Sequence, residues 1–503
     1  MLMYTIRENV IMDRNAGWNG KRVVVIGAAR QGTALARYFL RQGAKVVIND
    51  RLPLERLVSA QKELAGEPVE WIAGSHPLSM LEGADLLCIS GGVPFNLPIV
   101  REAQNRGIKI SNDSQIFLEV CPCRVIGITG SAGKTTTTTL VGLIAQAAID
   151  ELLVELNQPE VSDFHGLSNF DSLSAESKVW VGGNIGSPLI SWVEQMRPAD
   201  IVVMELSSFQ LEVMQRSPEI AAVLNITPNH LDRHESMRIY IEIKSRILAY
   251  QSSEDAAVLN RDDQESWALR NRVQGRLVSF GSQTPPDSQE GIYFDQDLDA
   301  IMIRLPSGEE NPDIHVMNRD EIPLRGEHNL HNVLAACAIA LAAGFSPNAM
   351  AAGVRRLTGI PHRLEFVRSW GGGDWYNDSI ATAPERAIAA INSFSEPLIL
   401  LAGGKDKNLP WDKFASLVSK RVRHLILFGE AAGRISAVMH KYEGDSDLVI
   451  TFCSSLKEAV QTAADKVSNG DVILLSPGGT SFDEFQDFED RGEAYKKWVM
   501  ELP

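Results

Sequence analysis

The segment from Arg124 to Leu140 reads RVIGITGSAGKTTTTTL. A short apolar run, Val125 to Thr129, leads into Gly130, Ser131, Ala132, Gly133 and Lys134. Thr135, Thr136 and an apolar stretch suited to a helix follow. Strand, glycine loop, Lys-Thr and helix form an arrangement that cradles nucleotide phosphates. Glycines let backbone N–H groups approach phosphate oxygens, and the helix N-terminus adds its partial positive charge. Lys134 would reach the β- and γ-phosphates, and the Thr135 hydroxyl is placed to meet Mg²⁺. The spacing departs from G-x-x-x-x-G-K-[ST] by one residue, because five residues separate Gly127 from Gly133. ATP or GTP binding is the chemistry expected.

Further polar residues stand at the ends of apolar runs. ADIVVMEL closes on Glu205, where an NTPase places an acid near Mg²⁺; a solvated glutamate at a strand end is the plainer alternative. NITPNHLDRH carries His230, open between a structural and a functional histidine, and YIEIKSRIL carries Lys244 at helical spacing, where most lysines are solvated. GEHNLHN sets Glu327, His328, Asn329 and Asn332 in the first turns of a helix of small residues. In LTGIPHR, Pro361 precedes His362 and Arg363, and WYNDSIATAPE places Asp378 just after a strand.

Three α/β units must position these groups. KRVVVIG, GAARQG and AKVVIND, ending at Asp50, make a βαβ unit with a dinucleotide-like fingerprint in which Ala29 replaces the middle glycine. NAD is the conventional reading, and any nucleotide diphosphate, UDP included, could use the same geometry. ADLLCIS follows, with the loop Gly91-Gly92-Val93-Pro94 at its end, and this unit closes near residue 120. The second unit starts at the phosphate loop. Within it, 149–178 reads as a polar surface insertion, VGGNIGSP as a glycine-rich turn after a short strand, and 283–321 as a loose β-hairpin excursion. From about Leu357, PLILLAGGKDKN, HLILFGE and DVILLSPGGTSFDEF alternate strand and helix signals again. The expected domains are 1–120, 121–359 and 360–503.

Composition narrows the function class. A chain of 503 residues is too long for one core. The net charge of −16 argues against a nucleic-acid partner. The first twenty residues lack an apolar core of signal-peptide type, and no run of 18 or more apolar residues suggests a membrane span. Five scattered cysteines fit reduced thiols in a cytosol, and Cys121-Pro-Cys123 lacks the second pair a metal site would use. A cytoplasmic nucleotide enzyme acting as a monomer is expected.

TGSAGKTT, VGGNIG, ELSSFQLE, NITPNHLD, GEHNLHN, PHR, NDS-ATAPE and LSPGGTSFDEFQDFEDRG occur in the order found in the Mur ligases of peptidoglycan synthesis. The chain resembles that family over nearly its whole length, and ELSSFQLE with the closing SFDEF and FEDRG resembles its D-glutamate-adding type. The resemblance implies a Rossmann-like N-terminal domain binding UDP-N-acetylmuramoyl-L-alanine, a central P-loop ATPase-type domain, and a Rossmann-like C-terminal domain binding glutamate. It implies attack of the alanyl carboxylate on the γ-phosphate of ATP, then attack of the glutamate amine on the acyl phosphate. Lys134 and the loop from Gly130 to Thr136 would hold ATP, with Asn329 and Asn332 near the adenine, Asp378 near the ribose, and Arg363 reaching the nucleotide. Thr135 and Glu205 would hold one Mg²⁺, and His230 and a carbamylated Lys244 a second. Asp50, Arg51, Ser90, Gly91 and Asn184 match UDP-sugar contacts; Thr382, Lys407, Ser481 and Phe488 match the glutamate site.

The sequence departs from the family pattern at Ile380, where many relatives have a lysine, and GGKDK offers both Lys405 and Lys407 for one role. A folylpolyglutamate synthase shares the chemistry but not an N-terminal UDP domain. An NAD-dependent oxidoreductase leaves TGSAGKTT unexplained, and a GTPase would need an N-K-x-D motif that is missing here. L-glutamate as the amino acid stays open at this point.

Overall fold

A computed structural model describes residues 17–157, 173–174, 176–228, 234, 236–306, 313–357, 359, 361–407, 409–442 and 448–503. His230 and most of the 149–178 segment lie outside the described residues. The architecture is α/β, with three sheets.

The first sheet takes β1 (Arg22–Ile26), β2 (Lys45–Asp50), β3 (Val69–Ala73), β4 (Leu86–Ile89) and β5 (Lys109–Ser111) in the order β3-β2-β1-β4-β5. All its pairings are parallel. Helices on both faces bury β1 completely from Val23 to Ile26, which is why it reads as an unbroken apolar run. The order reverses between β1 and β4, and the carboxyl ends of those strands carry the fingerprint loop and the Ser90 turn.

The second sheet takes β6 (Arg124–Thr129), β7 (Val179–Gly183), β8 (Ile201–Glu205), β9 (Ile220–Val223), β10 (Ala256–Asn260), β11 (Arg276–Gly281), β12 (Glu290–Asp295), β13 (Ala300–Arg304) and β14 (Ile314–Asn318). Their order is β14-β13-β12-β11-β10-β9-β6-β8-β7. The strands from β7 across to β12 are parallel, so β6, β7, β8 and β9 all deliver their carboxyl ends to one edge. The expected hairpin excursion is a meander, β12 to β14, that extends the sheet with two antiparallel strands.

One expectation for the helix after the phosphate loop needs correction. The helix runs Lys134–Asn157, so the segment read as an insertion from 149 begins as helix. Ile149 is buried, and the two acids after it are paired: Asp150 accepts from Arg356 at 2.7 Å, and Glu151 from the Ser346 hydroxyl at 2.5 Å. Ser346 is also the N-cap of the helix Pro347–Arg355, which packs along this helix. By length and mean hydropathy alone Lys134–Val154 is apolar enough to cross a membrane, although Thr135–Thr139, Asp150 and Glu151 interrupt its apolar run. In the fold 56 % of that window is buried, as in a core helix.

The third sheet takes β15 (Glu365–Trp370), β16 (Gly373–Asn377), β17 (Leu398–Gly403), β18 (Val422–Phe428), β19 (Val449–Phe452) and β20 (Val472–Gly478), ordered β15-β16-β20-β17-β18-β19. Only β15 is antiparallel to its neighbour. Two compact units result: Met1–Glu321 with His331–Arg356, and Ile322–Leu330 with Leu357–Pro503. Ile322–Leu330 groups with the third sheet through Arg325, which pairs with Glu396 at 2.5 Å and lies over the rings of Tyr376 and Phe394.

Candidate functional site

The loop Gly130–Gly133 leaves β6 at the shared edge of the central sheet. Gly133 has φ +82°, and a Cβ there would collide with the Asn332 side chain, so the turn into the helix requires glycine. Asn225, two residues past the end of the neighbouring β9, pins the loop. Its side chain accepts from the Ala132 N–H at 2.8 Å and donates to the Ala132 carbonyl at 3.1 Å. Its own carbonyl accepts from the Ser131 N–H at 2.9 Å. The Ser131 hydroxyl donates to the Thr227 carbonyl at 3.0 Å and lies 3.2 Å from the Tyr240 hydroxyl. Thr136 is fully buried behind the loop.

Three of the expected residues form a chain of hydrogen bonds. The Thr135 hydroxyl donates to Glu205 Oε2 at 2.9 Å, and Asn184 Nδ2 donates to Glu205 Oε1 at 2.9 Å. The Asn184 N–H also reaches the Glu205 carbonyl at 2.9 Å. Thr135, Glu205 and Asn184 come from the first turn of the helix, the end of β8 and the turn after β7. The parallel sheet brings them together, and Glu205 is buried rather than solvated. Asn184, matched to the UDP sugar by resemblance, thus stands on the nucleotide-loop acid.

Lys134 Nζ donates to the Gly130 carbonyl at 2.9 Å. Lys244, in the helix Met237–Ser245, points inward rather than into solvent. Its Nζ donates to the same carbonyl at 2.9 Å, with the Thr129 hydroxyl at 3.4 Å and the Tyr240 ring 4.9 Å away. Burial first, then the field of Lys134, holds this amine well below its ordinary pKa, and Glu205 opposes that only in part. Asn332 is buried beside Gly133, and the buried Asn329 donates to the Arg325 carbonyl at 2.7 Å.

In the first sheet both oxygens of Asp50 are engaged by backbone: the Ala28 N–H donates to it at 2.9 Å and the Leu52 N–H at 2.9 Å. It clasps the fingerprint loop to the end of β2. Gly27 has φ +96° and a Cβ there would lie 2.9 Å from Ser90 Cβ; the Ser90 hydroxyl donates to the Gly27 carbonyl at 3.2 Å. Gly91 follows in that turn, and Arg51 is exposed at the same strand ends. The buried Asn49, which the sequence did not single out, donates to the carbonyls of Ile72 and Ser75, each at 2.7 Å, and meets His76.

In the C-terminal unit, Arg363 sits between two residues in the left-handed region, His362 at φ +62° and Leu364 at φ +43°. Such strain in residues with bulky side chains is concentrated at functional sites. His362 is fixed by its N–H to Glu365 Oε2 at 2.8 Å and by its ring against Asn377 at 3.1 Å. Asp378 is buried, accepts from the Ser476 hydroxyl at 2.8 Å, and is pushed up to about 7 by burial, with that bond and Arg363 pulling it down. Thr382 is half-buried after this turn, and Ser481 is buried after β20. The Phe488 carbonyl accepts from the Ser379 hydroxyl at 2.8 Å.

The two lysines of GGKDK separate. Lys405 Nζ lies 3.8 Å from Glu430, whereas burial and then the charge of Arg386 hold the Lys407 ammonium below its ordinary pKa. Arg491, quoted within FEDRG but given no role, is fully buried. It donates to the Ser379 hydroxyl at 3.0 Å, the Ser379 carbonyl at 2.8 Å and the Gly479 carbonyl at 3.2 Å. It ties together the two turns that carry Thr382 and Ser481. Asn225, Tyr240, Arg386 and Arg491 were thus missed; for Asn225 the usable signal was its place right after a buried strand next to β6.

Three family models match the chain: the Mur ligase MurD-like N-terminal domain over 21–112, the Mur ligase middle domain over 128–340, and the Mur ligase glutamate ligase domain over 362–479. A UDP-N-acetylmuramoylalanine–D-glutamate ligase of Symbiobacterium thermophilum is 39 % identical over 484 residues, 96 % of this chain and 98 % of the relative. The enzyme of that name from Acetivibrio thermocellus is 35 % identical over 96 % of this chain and 97 % of its own. Among solved structures, the UDP-N-acetylmuramate-alanine ligase MurC of Thermotoga maritima shares the fold with a TM-score of 0.56 at 16 % identity, covering 96 % of this chain and 99 % of its own. The MurF ligase of Thermotoga maritima in complex with ADP does so with a TM-score of 0.52 at 15 % identity, covering 97 % and 96 %. With these matches spanning all three sheets, the chain belongs to the Mur ligase family, in its D-glutamate ligase branch.

Proposed function

We propose that this chain is an ATP-dependent ligase that joins D-glutamate to the alanyl carboxylate of UDP-N-acetylmuramoyl-L-alanine, in peptidoglycan precursor synthesis. The observation that carries the reading is the Thr135–Glu205–Asn184 chain at the mouth of the phosphate loop, in a sequence 39 % identical end to end to a D-glutamate ligase. The alanyl carboxylate takes the γ-phosphoryl group, releasing ADP, and the glutamate amine then attacks the acyl phosphate and expels phosphate. The loop N–H groups and Lys134 would bind and orient the β- and γ-phosphates, lowering the repulsion between carboxylate and triphosphate.

Thr135 and Glu205 supply hard oxygen donors within 2.9 Å of each other, a set that fits Mg²⁺. When bound there, the ion neutralises charge on the phosphate oxygens. His230 and Lys244, the latter as a carbamate, are proposed for a second ion. Asn329, Asn332, Asp378 and Arg363 are proposed for the rest of ATP, and Asp50, Arg51, Ser90, Gly91 and Asn184 for the UDP sugar. Thr382, Lys407, Ser481 and Phe488 are proposed for glutamate, with functional domains 1–120, 121–359 and 360–503. One chain carries all three substrate domains, which supports action as a monomer; ATP and a UDP-linked acceptor support a cytoplasmic reaction.

Phosphate release from ATP with UDP-N-acetylmuramoyl-L-alanine, offered D-glutamate, L-glutamate or neither, tests the reading. Release is expected only with the D-isomer. Preference for L-glutamate would overturn the stereochemistry, and no glutamate-dependent release would overturn the ligase assignment.

A further inference from the structure

We propose that Arg386 is the second cation of the amino-acid site, so that Arg386 and Lys407 each take one carboxylate of the incoming glutamate. The proposal rests on the ligase reading and assigns a residue that the motifs do not. Three turns converge at the carboxyl ends of β16, β17 and β20: Asp378 to Thr382, Lys405 to Lys407, and Gly478 to Ser481. The Gly478 N–H donates to the Ala381 carbonyl at 2.8 Å, and the Lys405 N–H to the Thr480 carbonyl at 2.7 Å, which fixes the three against one another. In the first turn the side chain at 380 is an isoleucine and brings no charge.

Arg386 stands in the first turn of the helix Pro384–Ile391 and reaches back over this turn. Its Nη1 donates to the Ile380 carbonyl at 3.2 Å, which uses one of five N–H donors and leaves the rest of the fork for a ligand. Of the other charges nearby, Lys405 pairs with Glu430 and Arg434 with Asp406, and the buried Asp378 carboxyl feels Arg386 without a hydrogen bond to it. Among the described residues neither Arg386 nor Lys407 has an ion-pair partner within 4 Å. Each nevertheless lies in the other's field, since Arg386 adds to the depression of the Lys407 amine that burial begins. Two like charges on adjoining turns, one of them partly desolvated and neither in an ion pair among the described residues, form a pair of cations suited to a dianion. Glutamate at neutral pH presents two carboxylates on a three-carbon spacer. A guanidinium accepts one bidentately, and an ammonium meets the other as a point charge. Arg386 thereby supplies the charge that Ile380 withholds.

The test is steady-state kinetics of phosphate release in Arg386→Met, Arg386→Lys and the double variant Arg386→Met with Ile380→Lys. Arg386→Met is expected to raise the KM for D-glutamate at least about tenfold. The KM values for ATP and the UDP substrate should stay within twofold, with a smaller loss in kcat. Arg386→Lys should fall between, and the double variant should recover most of the glutamate KM. A glutamate KM unchanged in folded Arg386→Met, or a loss borne by kcat alone, would overturn the proposal. Should Arg386→Met not fold, Arg386→Lys, which keeps the aliphatic stem, reads the same parameter with the same two outcomes. A wild-type enzyme without glutamate-dependent release would instead remove the ligase reading beneath it.

Discussion

The ammonium groups of Lys134 and Lys244 converge on one acceptor, the carbonyl oxygen of Gly130, each at 2.9 Å. Among the described residues Lys244 has no carboxylate in hydrogen-bond contact. Burial and the charge of Lys134 together favour the neutral amine at Lys244, the form that adds carbon dioxide to give a carbamate. Wild-type protein equilibrated with ¹³C-bicarbonate should show a protein-bound carbamate carbonyl resonance, and Lys244→Arg should lack it. That variant should also release phosphate roughly a hundredfold more slowly, as when one electrostatic contact to a transition state is removed. A wild-type spectrum without the resonance would dispose of the modification.

Glu205 accepts from Thr135 and Asn184 through separate oxygens, so its orientation is set by the helix start and by the turn after β7. Glu205→Gln keeps the shape and removes the charge. It should lower kcat by about 10²–10³ with circular dichroism unchanged, and should raise the Mg²⁺ concentration needed for half-maximal rate. Loss of rate with no change in Mg²⁺ dependence would place Glu205 in loop support instead.

The phosphate loop was legible because its information is local: an apolar run, glycines where the backbone must turn, and Lys-Thr at a helix start. The parallel sheets were legible for a similar reason, as buried strands alternate with helices. What could not be read depends on partners far along the chain. The helix after the loop continues past Ile149 because Pro347–Arg355 packs on it, and Asp150 is held by an arginine 206 residues away. Lys244 looked like a solvated helix lysine, and only the approach of Tyr240 and the β6 loop makes it a buried one. Arg491 lies within FEDRG, but the motif does not say that it acts on turns more than ten residues away, and Arg386 stands just outside ATAPE.

Asp378 supplies a pH test of stability. Its carboxyl, raised from 3.8 to about 7 chiefly by burial, keeps its proton longer in the fold than in the unfolded chain. Between about pH 4 and 7 the native state therefore binds more protons, and stability falls as pH rises through that window. Asp378→Asn, which mimics the protonated form toward Ser476, should remove this decline. Its Tm relative to wild type should climb by roughly 5 °C from pH 4.5 to pH 7.5. A Tm difference that stays flat across that range would show that burial does not raise this carboxyl.

Arg491 is the structural keystone of the amino-acid turns, and its removal should be felt in both stability and binding. Its guanidinium is fully buried and, among the described residues, bonds only to neutral groups, the carbonyls of Ser379 and Gly479 and the Ser379 hydroxyl. Burial draws its pKa down to about 10, with Asp483, Asp378 and Glu484 opposing, so the charge persists at neutral pH. Arg491→Met fills much of the volume but leaves two buried carbonyls without donors. Unpaired buried acceptors cost about 1–3 kcal/mol each, so a total loss of ~2–6 kcal/mol in denaturant unfolding is expected. Because the freed turns carry Thr382 and Ser481, the glutamate KM should rise as well, while the KM for the UDP substrate, whose proposed site is at the first sheet, should not. A destabilised variant with all three KM values unchanged would make Arg491 a core residue and nothing more.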